Sequence, residues 1–358
     1  MTESLTIGRH HARFPVIQGG MGVRISGHRL AGHVAKAGGI GLIAAAGLGL
    51  NSGLYNGKNF FKADREALKI ELTKARAIAP DGVLGVNCMV AVTNYDEAIQ
   101  AACEAGTQLI VSGAGLPLSL PALTADYPEV ALVPIVSSVK AAELIARKWH
   151  RYGRLPDAVV VEDPDTAGGH LGDKLENIGV GLYDQYATVR GVKAYFLENW
   201  QLDIPVIAAG GVWDRADLQY ALANGADGVQ MGSRFVCTVE CDASDGFKQA
   251  YLDARQEDIG LLMSPAGLPA RALIKNIPAV RQHDLDMKLK CPLNCLKKCS
   301  YKEKLERFCV VTALDRAQRG DVETGVLFCG TNAWKSDHIG SVEEIFAELF
   351  PLSVRDAS

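Results

Sequence analysis

Residues 204–235 read IPVIAAGGVWDRADLQYALANGADGVQMGSRF. Two short apolar runs, IPVIAAGGV (204–212) and DGVQMGSRF (227–235), flank the segment DRADLQYALANG. That segment opens on an aspartate, a helix N-cap type, and closes on a glycine, a common helix stop. The two runs are apolar throughout rather than alternating, as strands covered on both faces are. Strand, helix, strand in this order is a βαβ unit, and both strands end on glycines.

The same rhythm extends toward the N-terminus. FPVIQGGMG (14–22), GIGLIAAAG (39–47), VLGVNCMV (83–90), QLIVSGAG (108–115), VALVPIVS (130–137) and DAVVVED (157–163) are six further runs of the same kind. Helical patterns lie between them, among them ISGHRLAGHVAKAG, NYDEAIQAACEAG and SSVKAAELIARKWHRYG. Each has a cap residue at its start and a glycine at its end. Eight strand–helix units in about 230 residues predict an α/β protein of the (β/α)8 TIM-barrel class rather than an open doubly wound sheet.

Two segments break the rhythm. Residues 48–64, LGLNSGLYNGKNFFKAD, form a long loop that reads as a lid. Residues 241–338 are Cys-rich and read as a mostly helical insertion after strand eight. SVEEIFAELF (341–350) is amphipathic with a serine N-cap, and reads as the last outer helix of the barrel. The expected division is therefore a barrel over 1–240, an insertion over 241–338 and a returning helix over 339–358.

Composition narrows the function classes. The chain has 358 residues, 48% of them apolar, and a net charge of −4. It lacks the basic field that nucleic acid or an anionic membrane calls for. No apolar run reaches the roughly 18 residues of a spanning helix. MTESLTIGRHHARFP lacks a signal-peptide core, so a cytoplasmic location is expected. In a reducing cytosol the nine cysteines read as thiols or metal ligands rather than disulfides.

In a barrel, chemistry gathers at the C-terminal ends of the strands. AAGG (208–211) and MGS (231–233) end strands seven and eight, where barrels bind phosphate through backbone amides. GGM (19–21) lets backbone approach a flat ring, and Asn87 offers an amide to a heterocycle edge. A phosphate and a flat ring together suggest FMN. DTAGGHLGDK (165–174) then sets a histidine beside glycines that allow close approach to that ring.

FPVIQGGMG, AGGIGLIAAAG, GVNCM, AGGHLG and the 204–235 stretch together resemble the nitronate monooxygenase family, which shares its fold and FMN site with FMN-dependent enoyl-acyl-carrier-protein reductases. The resemblance spans residues 14–240. It implies a TIM barrel with the FMN phosphate on Gly210, Gly211, Gly232 and Ser233, and the ring near Gly20, Met21 and Asn87. Gly22, Ser137, Gly168 and Gly169 complete the expected cofactor set, and the family histidine maps to His170. The sequence departs from relatives in the acidic run VEDPDTAGGH, with Glu162, Asp163 and Asp165, and in the Cys-rich segment.

His170 is the expected catalytic residue. It serves as a base toward a nitroalkane, as a positive group holding a nitronate, or as a proton donor to an enoyl or quinone oxygen. The remaining histidines read as surface residues. The first functional expectation is nitronate oxidation with O₂. The second is NAD(P)H-dependent reduction of enoyl thioesters or quinones, and a third is a non-catalytic barrel that binds FMN or another phosphate ligand. The expected partners are a small-molecule substrate, O₂ or NAD(P)H and a second copy of the chain, with no nucleic acid or membrane.

CPLNCLKKCSYKEKLERFC (291–309) brings Cys291, Cys295, Cys299 and Cys309 into one segment. Such density suits a [4Fe–4S] cluster or zinc, and unliganded packing is the third reading. A straight helix over 291–299 would spread the outer sulfurs by about 12 Å, too far for one site. Pro292 and Asn294 are residues that break such a helix. RALIKNIPAV (271–280) reads as a wall of the substrate cavity, with Lys275 a solvated charge.

Overall fold

The structure is a computed structural model that describes residues 4–287, 291 and 293–351. Its strands are β1 (Leu5–Ile7), β2 (His10–Ala12), β3 (Val16–Gln18), β4 (Ile40–Ala44), β5 (Val83–Met89), β6 (Leu109–Gly113), β7 (Ala131–Val136), β8 (Val159–Glu162), β9 (Gly169–His170), β10 (Val206–Ala209), β11 (Gly228–Met231), β12 (Ile259–Met263), β13 (Pro269–Leu273) and β14 (Leu327–Phe328). Its helices are α1 (His28–Ala37), α2 (Phe60–Ile78), α3 (Tyr95–Glu104), α4 (Leu120–Leu123), α5 (Val139–His150), α6 (Gln185–Trp200), α7 (Arg215–Ala223), α8 (Asp245–Leu252), α9 (Ile277–Asp286), α10 (Val310–Gln318) and α11 (Val342–Leu349).

β3, β4, β5, β6, β7, β8, β10 and β11 form a closed parallel barrel in that order. These are the eight apolar runs of the sequence. Their uniform apolarity has a physical cause: inward and outward side chains are both buried. Ile17, Ile40, Leu42, Val111, Val133, Val160 and Ile207 fill the barrel interior. Val16, Ile43, Val86, Ile110, Leu132, Val161 and Val206 pack beneath the helices. The β1–β2 hairpin adds Leu5 and Ile7 to the interior cluster and plugs the barrel at one end.

Local signals place the helices. Asp214 caps α7 in a reciprocal capping box with Asp217, and Ser138 caps α5 by accepting from Ala141 N. Ser341 caps α11 with Glu344 in a second such box, and α11 packs on α1 and α7. At the start of α1 the backbone N–H of His28 donates to Glu71, and Asp242 accepts from Gly27 N. His28 Nδ1 also lies 2.8 Å from Glu71, so His28 is a half-buried partner rather than a surface residue.

The segment after strand eight differs from the expected mostly helical insertion. It carries α8, α9 and α10, and also an antiparallel sheet of β12, β13 and β14. β13 pairs on its other side with β9, the two-residue strand that carries His170. Residues 48–64 are not a lid over the cavity described below. Leu50, Tyr55, Phe60 and Phe61 pack into a cluster with Leu262, Ile277 and Phe308 of the insertion. No helix among the described residues is long and apolar enough to cross a membrane.

Candidate active site

A cavity of about 270 Å³ opens at the C-terminal ends of the barrel strands and runs beneath the insertion. It brings together Gly20, Met21, Gly22, Asn87, Gly168, Gly169, His170, Gly210, Gly211, Gly232 and Ser233. Ser137 is the exception. It lies just past β7 against Gly172 and does not line the cavity.

The glycines answer to specific crowding. A Cβ on Gly20 would stand 2.2 Å from Cβ of Asn87. Gly210 and Gly211 follow β10 in left-handed backbone, at φ 104° and 72°. A Cβ on Gly168 would meet the backbone of Cys329 and Gly330 at 2.4 Å, and Gly169 has φ 71°. The two glycines before His170 are thus required by the close approach of the returning insertion and by the turn into β9.

Residues 330–332 stitch this end of the barrel together. Gly330 N donates to Ser233 Oγ at 2.8 Å, Thr331 N to Thr166 O at 3.0 Å, and Asn332 Nδ2 to Gly211 O at 2.6 Å. Arg271, buried on β13, donates to the carbonyls of Ala167 and Pro164. The stretch 271–280 therefore does not wall the cavity as expected; it braces the loop that leads to His170. Lys275 is exposed, as expected of a solvated charge.

His170 Nε2 lies 2.7 Å from Ser264 Oγ, and its ring meets Phe328 edge-on at 5.1 Å. Burial lowers the imidazole to about 4, so the ring is neutral at pH 7. Glu162, at the end of β8, also lines the cavity. Burial, reinforced by Asp163 and opposed by Arg271, raises its carboxyl to about 8. Asp163 is engaged elsewhere, accepting from Asp165 N and Thr166 Oγ1.

The residues present fit a flavin phosphate. Residues 210–211 and 232–233 themselves contribute no side chain larger than serine to the cavity, and Gln230 Oε1 in the cavity wall is buried with no hydrogen-bond partner among the described residues. A buried acceptor without a donor is costly, and a bound ring with an N–H satisfies it.

A model described as nitronate monooxygenase matches residues 3–351. The chain belongs to the nitronate monooxygenase family. Two curated relatives share the name (3aS,4S,5R,7aS)-5-hydroxy-7a-methyl-1-oxo-octahydro-1H-indene-4-carboxyl-CoA dehydrogenase. That of Rhodococcus jostii is 28% identical over 76% of this chain and 66% of its own length. That of Mycobacterium tuberculosis is 31% identical over 75% of this chain and 64% of its own length. The chain thus spans just under two thirds of these two relatives. Among solved structures, FabK from Thermotoga maritima superposes with a TM-score of 0.68 at 26% identity, over 94% of this chain and 91% of that one.

In this member of the family, Ser264, Arg271, Gln230 and Asn332 join the site without a motif to announce them. Each is an ordinary polar residue in sequence, and only the folded contact gives it a role. Cys329 also lines the cavity, as a buried thiol pushed up to about 12.

Proposed function

We infer that this chain transfers hydride, through FMN, to or from a neutral and largely apolar carbonyl substrate, an enoyl or acyl thioester. The carrying observation is the cavity lining. Met89, Val92, Leu296, Val310, Val311 and Leu314, which pack in one cluster, form its apolar arm, and among the described residues no lysine or arginine lines it. An anionic nitronate would find there a neutral imidazole and a carboxyl group. An apolar acyl chain would bury its surface at about 25 cal/mol per Å². The relatives named as carboxyl-CoA dehydrogenases support the same substrate class.

When bound, FMN supplies the redox chemistry. Gly210, Gly211, Gly232 and Ser233 would hold its phosphate, and Gly20, Met21, Asn87 and Gln230 its ring. His170 Nδ1 has no hydrogen-bond partner among the described residues, whereas Nε2 is committed to Ser264. Nδ1 is therefore the atom that exchanges a proton with the substrate carbon or oxygen. Glu162, whose carboxyl burial raises to about 8, faces the same space.

Nitronate oxidation is the second reading. It is favoured by the family match and by a neutral His170, which is able to take the proton of an uncharged nitroalkane. An anaerobic flavin titration separates the two. Bleaching by NADH or NADPH, followed by reoxidation with an enoyl-CoA and recovery of the saturated thioester, supports hydride transfer. Bleaching by a nitronate alone, with enoyl-CoA inert, overturns it.

A further inference from the structure

The insertion meets the barrel through an apolar contact and a polar one. In the apolar contact Cys295 and Cys299 pack with Leu296, Phe308 and Leu314 as core residues. Pro292, expected to break a helix there, lies outside the described residues. The polar contact is built on residues 328–332, which begin in β14 and run past it. Five extended residues reach at most about 18 Å, and these five touch both ends of the site.

At one end this short link backs the histidine. Phe328 pairs with Ala272 of β13, and Cys329 N donates to Arg271 O at 3.2 Å. β13 in turn pairs Ala270 with His170, and Leu171 N donates to Pro269 O at 2.9 Å. The Phe328 ring stands edge-on to the imidazole. At the other end Gly330 is bonded to Ser233 and Asn332 to Gly211, two of the residues placed around the phosphate. Little slack lies between: a Cβ on Gly330 would stand 3.1 Å from Thr166 O.

The link is itself held by Tyr251 of α8. Its hydroxyl donates to Phe328 O at 2.5 Å, and the residue is 1% exposed. Ser244 caps α8, and the Phe247 ring stacks on that of Tyr251 at 5.5 Å. The chemistry proposed above makes no use of this buried hydroxyl.

We propose that residues 328–332, anchored by Tyr251, couple occupancy of the phosphate cradle to the ordering of the His170 strand. Tyr251 acts through Phe328 and is a positioning residue. The proposal rests on the phosphate placement given above and not on which substrate the cavity takes. A phosphate oxygen that takes the Ser233 proton makes Oγ a stronger acceptor, which tightens the bond from Gly330 and with it the link. Such coupling is reciprocal: the factor by which FMN orders the link is the factor by which an ordered link strengthens FMN binding.

The test uses the full chain, stripped of FMN and reloaded with it, in amide hydrogen exchange read by mass spectrometry. Loading is expected to slow exchange around residues 210–211 and 232–233, and also by about ten-fold around 168–171. In Y251F the first effect should persist at saturating FMN while the second is largely lost, and the FMN Kd should rise by about ten-fold. A direct contact between the ring and residues 168–169 would survive that substitution, so the variant separates the two causes. N332A cuts the tie to Gly211 from the other end and should uncouple in the same way, which keeps the test intact if Y251F misfolds. Undiminished protection of 168–171 in both variants overturns the proposal. So does a wild-type chain in which loading slows the cradle but not 168–171. Absence of any slowing at the cradle would instead show that the phosphate placement is wrong, and the coupling would fall with it.

Discussion

Ser264 Oγ lies 2.7 Å from Nε2 of His170, although the two are 94 residues apart in sequence. The same oxygen is 3.2 Å from the N–H of Ala266, which fixes the serine in its hairpin turn. Ser264 therefore sets the orientation of the His170 ring and is a positioning residue. S264A is expected to lower kcat by 10- to 100-fold with KM nearly unchanged. S264T, which keeps the hydroxyl, should recover part of that loss. A loss common to both variants and matched by lost FMN would point to misfolding instead.

H170A removes the group that exchanges the proton. A fall in kcat of about 10²- to 10⁴-fold is expected, with FMN content unchanged. Stopped-flow separates the steps: reduction of the flavin by nicotinamide should survive, while turnover of the thioester should not.

The pH dependence carries opposite signs for the two cavity groups. His170 is held down to about 4 by burial. Between its ordinary 6.5 and about 4 the unfolded chain binds a proton that the fold refuses, so stability falls as pH drops through that window. The acid limb of kcat/KM should accordingly lie near 4. Glu162 is raised to about 8, chiefly by burial. Between the carboxyl range and about 8 the fold holds a proton that the unfolded chain has released, so stability falls as pH rises. E162Q should raise Tm more at about pH 8.5 than at about pH 5, as thermal melts at both values would reveal.

The apolar arm predicts a length preference. V311F narrows it and should raise KM for long-chain enoyl thioesters by several-fold, while leaving short ones nearly unaffected. Equal effects on both lengths would place the acyl chain elsewhere.

G168A tests the seam between barrel and insertion. The added methyl meets the backbone of Cys329 and Gly330, which cannot move aside as a side chain would. A loss of about 1–3 kcal/mol is expected from denaturant unfolding, together with weaker FMN retention.

The barrel was legible because its strands are buried on both faces, which leaves runs such as VVV at 159–161 with no polar alternation to confuse them. The glycine-rich strand ends were legible for the reason that crowding permits nothing larger. The insertion's sheet was not. β13 begins at Pro269 and carries Arg271, a residue that reads as solvated until its guanidinium is found buried on the carbonyls of Ala167 and Pro164. Ser264 and Asn332 were silent for a related reason: their partners His170 and Gly211 are 94 and 121 residues away. Ser137 was misread because it follows a barrel strand, yet its hydroxyl turns toward Gly172 rather than the cavity.

The pairing of β9 with β13 gives the molecule a particular mode of failure. The histidine is covalently part of the barrel, but its strand is laid against the insertion's sheet. Peeling the insertion away on heating would release the histidine while the eight parallel strands remain closed. Inactivation would then precede melting of the barrel, and a sample with undiminished far-ultraviolet signal could be catalytically dead.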